Sequence, residues 1–171
     1  MNTLSYVLRV ISLSFLFAGS TSIIFAALAL VHAGQEQGIP PTVTAAGNAP
    51  MFTMFSTVVF VCAILLLIAE ALHYAITRSL STPIKARYIA SFICVVAAFV
   101  LKLGIIPQME HLSLKDPDDQ KVHAVFKKFH EASRVDFTLI IVASLISLLI
   151  PGFENSRRSA AAKTEEAQAL S

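Results

Sequence analysis

The chain has 171 residues, of which 56% are hydrophobic and 14% are charged, and its mean hydropathy is +0.71. A soluble domain carries about 25% charged residues, so much of this surface must face something other than water. The formal net charge of +2 is too small to indicate a nucleic-acid partner. The composition favours an integral, multi-pass membrane protein whose main partner is the lipid bilayer.

Four apolar runs account for the high hydrophobicity of the chain. We predict that they form four transmembrane helices, at residues about 10–31, 51–76, 88–106 and 133–150. A spanning helix needs about 20 mostly apolar residues. The last run is predominantly apolar only from Phe137 onward, so its helix must begin near Ser133 to be long enough. The predicted fold is all-α, an antiparallel four-helix transmembrane bundle within residues 1–151.

The first run has an alternative interpretation as a cleaved signal peptide. Arg9 would then be the charged n-region, and Val31-His32-Ala33 before Gly34 resembles a signal-peptidase site. The run of 22 residues is longer than a usual h-region, which has about 7–15 residues. Its length favours a membrane span.

Small residues recur every four positions in two of the predicted spans. The first span has Ser14, Ala18, Ser22 and Ala26, and the third has Ala90, Cys94 and Ala98. Such rows allow another helix to approach closely, which matters in lipid because the hydrophobic effect does not drive helices together. We predict that both rows are packing surfaces. Cys62 and Cys94 are expected to be small buried residues rather than a disulfide.

The connections between spans predict the orientation of the chain. Residues 32–50, rich in Pro and Gly, are predicted as a loop, and they contain no Lys or Arg. Seven basic residues lie on the side of the termini: Arg9, Arg78, Lys85, Arg87, Arg157, Arg158 and Lys163. Five lie on the other side: Lys115, Lys121, Lys127, Lys128 and Arg134. The positive-inside rule therefore predicts cytoplasmic termini, or their topological equivalent. The polar tail 152–171 is predicted to be flexible or weakly helical.

The third connection predicts an amphipathic helix over residues 118–132 that continues into the fourth span. Asp116, Pro117, Asp118 and Asp119 form a turn with a helix-start signal. One face of the predicted helix carries Phe126, Phe129, His130, Ser133 and Phe137. Such a helix can lie on the membrane interface or cap the bundle.

Ionisable residues fall within or beside the spans. Antiparallel threading places Arg9 and Glu70 near one membrane face, and Lys102 and Asp136 near the other. Charge at membrane depth usually faces a partner or a cavity. We therefore predict the ion pairs Arg9–Glu70 and Lys102–Asp136. The alternative is that Arg9 and Lys102 extend to the lipid headgroups.

The histidines give no complete catalytic or metal-binding motif. Glu70 and His73 have the Glu-x-x-His spacing, but di-iron bundles use two such motifs and this chain has one. A single-metal site with a distant histidine stays open. His73 and His130 are predicted at opposite membrane faces, which argues against haem ligation. The chain has no phosphate-binding glycine loop, CxxC or HExxH motif. We expect no cofactor, no resident metal and no enzymatic activity.

The segment LKDPDDQKVHAVFKKFHEASRVDF resembles the transmembrane protein 205 family of small four-helix membrane proteins. The matching positions are Asp116, Pro117, Phe126, Phe129, His130 and Ser133. The third span, which ends at Pro107, is also similar. Glu131 and Phe137 depart from the family pattern, which has a small residue and an Asn there. The resemblance implies the four-helix architecture; mammalian members are associated with platinum-drug resistance and vesicular secretion.

These features favour an accessory or scaffold subunit of a membrane complex, with other subunits or a second copy as partner. Phe129, His130 and Ser133 are expected to dock the amphipathic helix, with His130 bonding near Gln108. One alternative is a small transporter or channel component for an ion, a metal or a drug, with Glu70, His73 and Lys102 lining the path. A second alternative is a metal- or haem-binding redox subunit.

Overall fold

In a computed structural model, the protein is all-α and antiparallel. The structure describes residues 3–77, 81–113 and 120–169, without the side chains of residues 41, 42, 45–47, 49, 113, 120, 121, 123 and 152–169. Four helical segments are long and apolar enough to cross a membrane, namely Thr3–Glu36, Pro50–Thr77, Thr82–Leu112 and Ala124–Pro151. The predicted fold class is therefore confirmed.

Two of the four spans are interrupted by a π-helical segment. The first span consists of α1 (Thr3–Ser14), a first π segment (Phe15–Gly19) and α2 (Ser20–Glu36). The second lies within α3 (Pro41–Thr77). The third consists of α4 (Thr82–Phe99), a second π segment (Val100–Ile105) and α5 (Ile106–Ser113). The fourth lies within α6 (Gln120–Ala169).

The helices form a ring around one apolar core. Both α1 and α4 pack against α3 and against α6, so α1 and α4 occupy diagonal positions. Five large side chains of the core are fully buried: Leu13, Leu16, Leu66, Leu101 and Ile140. The most extensive helix contact joins α4 and α6. It includes the thiol of Cys94, which donates to the carbonyl of Ile140 at 3.7 Å.

The segment 32–50, predicted as a loop, is mostly helical. A short turn separates α2 from α3, and Gly38 within it has a φ of +72°, which glycine adopts without steric penalty. Pro41 begins α3, because its fixed φ suits the first helical position. A Cβ atom on buried Gly34 would lie 2.5 Å from the Oγ1 of Thr44. The glycine that indicated a loop instead allows two spans to approach closely.

The charged stretch before the fourth span is continuous with that span. α6 runs from Gln120 through Pro151 to Ala169, and so includes most of the segment 118–132 and of the tail 152–171. The turn predicted at residues 116–119, with Asp116 and Pro117 of the family motif, lies outside the described residues. The flexibility of the tail stays a prediction.

Candidate functional site

A group of polar side chains, most of them buried, lies at the end of the bundle where α1 and α4 begin. We name it the arginine cluster, and its members are Arg9, Glu70, His73, Arg87, Tyr88, Ser91 and Ser147. All four spans contribute, because antiparallel threading brings the starts of α1 and α4 to the same level as the later parts of α3 and α6. The cluster therefore joins the four spans at one membrane face.

The carboxylate of Glu70 is the acceptor at the centre of the arginine cluster. Its Oε2 accepts from the Nη2 of Arg87 at 2.9 Å, and its Oε1 accepts from the hydroxyl of Ser91 at 2.9 Å. The oxygen of Ser91 lies 2.8 Å from that of Ser147. Since the single proton of Ser91 goes to Glu70, Ser147 must donate to Ser91. The chain of hydrogen bonds runs from α6 through α4 to α3.

The tautomer of His73 follows from its neighbours. Its Nδ1 lies 3.0 Å from the Nη2 of Arg87 and 2.7 Å from the hydroxyl of Tyr88. Arginine donates hydrogen bonds and cannot accept them, so Nδ1 must be the acceptor. His73 is therefore neutral in this arrangement, with its proton on Nε2. A metal ion at Nδ1 would have to displace Arg87.

Arg9, the member of the arginine cluster that α1 contributes, is buried at 3% exposure. Its guanidinium carbon lies 5.5 Å from the ring centre of Tyr6. Arg87 repels it and Glu70 attracts it at longer range. Within the described part of the chain, its guanidinium forms no hydrogen bond or ion pair. The ion-pair partner of Glu70 is Arg87, where the sequence predicted Arg9.

Arg87 was not predicted as the partner of Glu70, because it was counted among the basic residues of the connections that set the orientation. In the structure it is buried at 5% exposure. A signal for its position does exist in the sequence. Glu70 and Arg87 lie at nearly equal distances from the middle of the short connection between α3 and α4. Residues equidistant from the turn of an antiparallel helical hairpin lie at the same level. This hairpin geometry places the two charges at the same level, although it does not fix the rotation of either helix.

The α1 helix carries further polar groups that face the bundle. Ser5 and Ser12 are buried at 1% and 0% exposure, and neither hydroxyl has a hydrogen-bond partner within the described chain. Ser5, Arg9 and Ser12 are spaced by four and three residues, so they share one helix face. The Nε of Arg87 is also buried without an acceptor. The described residues leave several donors unused at this end.

The opposite end of the bundle carries Lys102 and Asp136, which do not form the predicted ion pair. The Nζ of Lys102 donates to the hydroxyl of Thr57 at 2.9 Å and to that of Ser56 at 3.4 Å. Asp136 is buried at 6% exposure, and its Oδ2 has no hydrogen-bond partner among the described residues. Lys102 is thus bound by hydroxyls of α3 instead of by the carboxylate on α6.

Both π segments contact α6, the helix that carries Asp136. The first also lies against the aromatic side chains beside Asp136: a Cβ on Gly19 would lie 3.0 Å from the ring of Phe55, which stacks on Phe137 at 6.5 Å. π segments inside α-helices often occur at functional sites. The helix that carries the buried carboxylate of Asp136 therefore packs against two segments of irregular backbone.

The residues of the family motif divide between the core and the surface. Phe129 packs against the apolar core, and buried Ser133 donates to the carbonyl oxygen of His130 at 2.7 Å. The ring of His130 is exposed and stacks on Phe126 at 6.4 Å. The predicted bond between His130 and the region of Gln108 is not formed within the described chain. Phe129 and Ser133, rather than His130, contact the bundle.

The two rows of small residues face in opposite directions. Ala90, Cys94 and Ala98 are buried at 6%, 0% and 0% exposure, on the face of α4 that packs against α6. Ser14, Ala18, Ser22 and Ala26 are all exposed. The row on α4 therefore packs inside the protein, whereas the row on the first span forms an uncovered surface. We name Ser14, Ala18, Ser22 and Ala26 the outer row.

The fold and the site define the class of protein: a small multi-pass helical membrane protein with a polar cluster buried at one end. Comparisons of the chain with protein-family models, curated proteins and solved structures give no match. Within the residues that the structure describes, no three His, Cys, Asp or Glu side chains are placed to hold a metal ion.

Proposed function

We propose that the protein is a non-enzymatic accessory or scaffold subunit of a membrane complex, and that it binds its partner through the outer row. Four small residues on one exposed helix face carry this proposal. Small residues at four-residue spacing allow two helix backbones to approach closely in lipid. The similar row on α4 already packs against α6 within the protein. The outer row offers the same kind of surface to a helix from another chain.

The position of the first span supports this assignment. In its most apolar stretch 11% of residues are buried, against 28%, 50% and 39% in the second, third and fourth spans. In α2 the buried residues are Ser20 and Gly34. The first span is therefore the peripheral helix of the bundle, and most of α2 is free to contact lipid or a partner. The motif resemblance to the transmembrane protein 205 family agrees with this architecture but assigns no partner.

The experiment is purification in a mild detergent followed by native mass spectrometry of the full chain and of two variants. Ala18→Leu adds a bulky side chain to the outer row, and Ala75→Leu makes the same change at an exposed position of α3. We expect the wild type and Ala75→Leu to retain a second membrane protein or a second copy. Ala18→Leu is expected to lose it, because the larger side chain holds the helices apart. A monomeric wild type, or equal retention by both variants, would refute the proposal.

A second candidate function is a small transporter component, which the buried ionisable residues favour. Charged groups at membrane depth commonly mark ion and substrate paths. A groove of about 400 Å³ between α3 and α4 opens outward beside Glu70 and Ser91. Reconstitution in liposomes tests this candidate: flux of an ion that falls in Glu70→Gln, but not in the exposed control Lys85→Gln, would favour transport over a scaffold role.

A further inference from the structure

The charges of the arginine cluster do not balance among the described residues. Arg9 and Arg87 each carry one positive charge, Glu70 carries one negative charge, and His73 accepts from Arg87 as a neutral ring. The sum is one positive charge. Isolated charge in a low-dielectric environment is strongly unfavourable, so buried charges are normally paired. Here Arg9, at 3% exposure, carries the charge that no described carboxylate pairs.

The same region has an excess of hydrogen-bond donors. The Nε of Arg87 and the hydroxyls of Ser5 and Ser12 are buried without an acceptor within the described chain. The guanidinium of Arg9, a residue at 3% exposure, forms no ion pair there. Buried polar groups in proteins nearly always have a partner. The unused groups face the bundle from α1 and from α4, which stand diagonally across it. One anion with several oxygen atoms can accept from Arg9 and from Ser5, one turn nearer the start of α1. Ser12 lies about 10.5 Å from Ser5 along the helix axis, which is too far to share the same anion.

We propose that the arginine cluster binds a phosphate group carrying one negative charge, held by Arg9 with Ser5 and Arg87 as neighbouring donors. The single excess positive charge matches a phosphodiester monoanion. Guanidinium groups bind phosphate oxygens through two parallel hydrogen bonds, which a lysine cannot reproduce. The unused donors thus point to an oxyanion rather than to a metal cation.

The depth of the cluster is compatible with a lipid headgroup as the source of the phosphate. Arg9 lies six residues after the start of α1, which is about 9 Å along the helix axis. The first span of 34 residues is about 51 Å long, against a hydrocarbon core of about 30 Å. A centred span therefore extends about 10 Å beyond the hydrocarbon at each end. Arg9 then lies near the headgroup boundary, at the depth of a lipid phosphate and close to the water that carries free phosphate.

The test is a thermal unfolding titration of the full chain in dodecyl maltoside micelles. The chain has no Trp, but Cys62 and Cys94 are both buried and free, so a fluorogenic thiol dye reports unfolding. The probes are dioleoylphosphatidylglycerol, dioleoylphosphatidylcholine and sodium phosphate at constant ionic strength. We expect phosphatidylglycerol to raise the unfolding midpoint more than phosphatidylcholine, since a ligand that binds only the folded state stabilises it.

Variants separate a specific site from a general effect of anions. Arg9→Gln is expected to weaken the apparent affinity at least tenfold, and Ser5→Ala, which keeps every charge, severalfold. Lys102→Gln removes a cation at the opposite end and should leave the affinity unchanged. A midpoint rise with sodium phosphate alone, also lost in Arg9→Gln, supports the site with free phosphate as its ligand. Equal responses of Arg9→Gln and the wild type, or no response to either anionic probe, would overturn the proposal.

Discussion

The ion pair between Glu70 and Arg87 should be the polar contact whose loss destabilises the bundle most. Glu70 and Arg87 are 8% and 5% exposed, so water cannot replace the missing partner. In Arg87→Gln, Oε2 of Glu70 and Nδ1 of His73 both lose the Nη2 donor, whereas the hydroxyl of Ser91 still donates to Glu70. Removing one partner of a buried pair destabilises a protein by about 3–5 kcal/mol. We expect a loss of this size in the free energy of unfolding.

The assay is unfolding by sodium dodecyl sulfate in mixed micelles, followed by far-ultraviolet circular dichroism. Lys85→Gln is the matched control, because Lys85 is exposed on the same helix and should change the free energy by less than about 0.5 kcal/mol. The double variant Glu70→Gln/Arg87→Gln removes both charges and should lose less than the sum of the two single variants. If Arg87→Gln stays within about 1 kcal/mol of the wild type, or the losses simply add, the pair does not stabilise the fold as argued.

Three further substitutions test the packing and the charges elsewhere. Gly34→Ala places a Cβ 2.5 Å from the Oγ1 of Thr44 and should destabilise by about 1–3 kcal/mol; failure of Thr44→Ala to restore stability would contradict the close helix contact. Ala98→Leu overpacks a position with 0% exposure and should lower the thermal midpoint in detergent, with an unchanged midpoint as the contrary result. Asp136→Asn removes a buried carboxylate whose Oδ2 has no described partner, so stability to sodium dodecyl sulfate should not fall. A clear fall would indicate an ion pair with Lys102.

The membrane architecture was predictable from the sequence because it depends on composition and length. Each span of the structure includes the predicted one, and each is longer than predicted. The largest difference is at residues 32–50, where Pro41 begins a helix and Gly34 permits a helix crossing. Pro and Gly indicate turns in a single sequence, but both also have specific positions at helix starts and close contacts. Tertiary packing decides whether Pro or Gly marks a turn or a helix position, and a local sequence pattern does not show how the helices pack.

The candidate site was predictable in its composition but not in its pairing. Glu70 and Arg9 were selected because ionisable groups at membrane depth need partners, and His73 because it has the Glu-x-x-His spacing to Glu70. Choosing between Arg9 and Arg87 as the partner of Glu70 requires the rotation of each helix about its axis. Counting basic residues by connection assigned Arg87 to the loop and removed it from consideration. Similarly, Lys102 lies among the hydroxyls of α3, which no rule based on charge alone would select.

The first π segment explains why the outer row stays on one face of the first span. In a regular α-helix, residues four apart advance by about 40° around the axis, so Ala26 would stand about 120° from Ser14. One extra residue in a helical turn sets the following residues back by about 100°. The π segment lies between Ser14 and Ser22 and offsets most of this drift, in agreement with the exposure of all four residues. The same helix presents Ser5, Arg9 and Ser12 to the interior. The proposed phosphate site and the proposed partner surface therefore lie on opposite sides of the first span, so substitutions in one can leave the other intact.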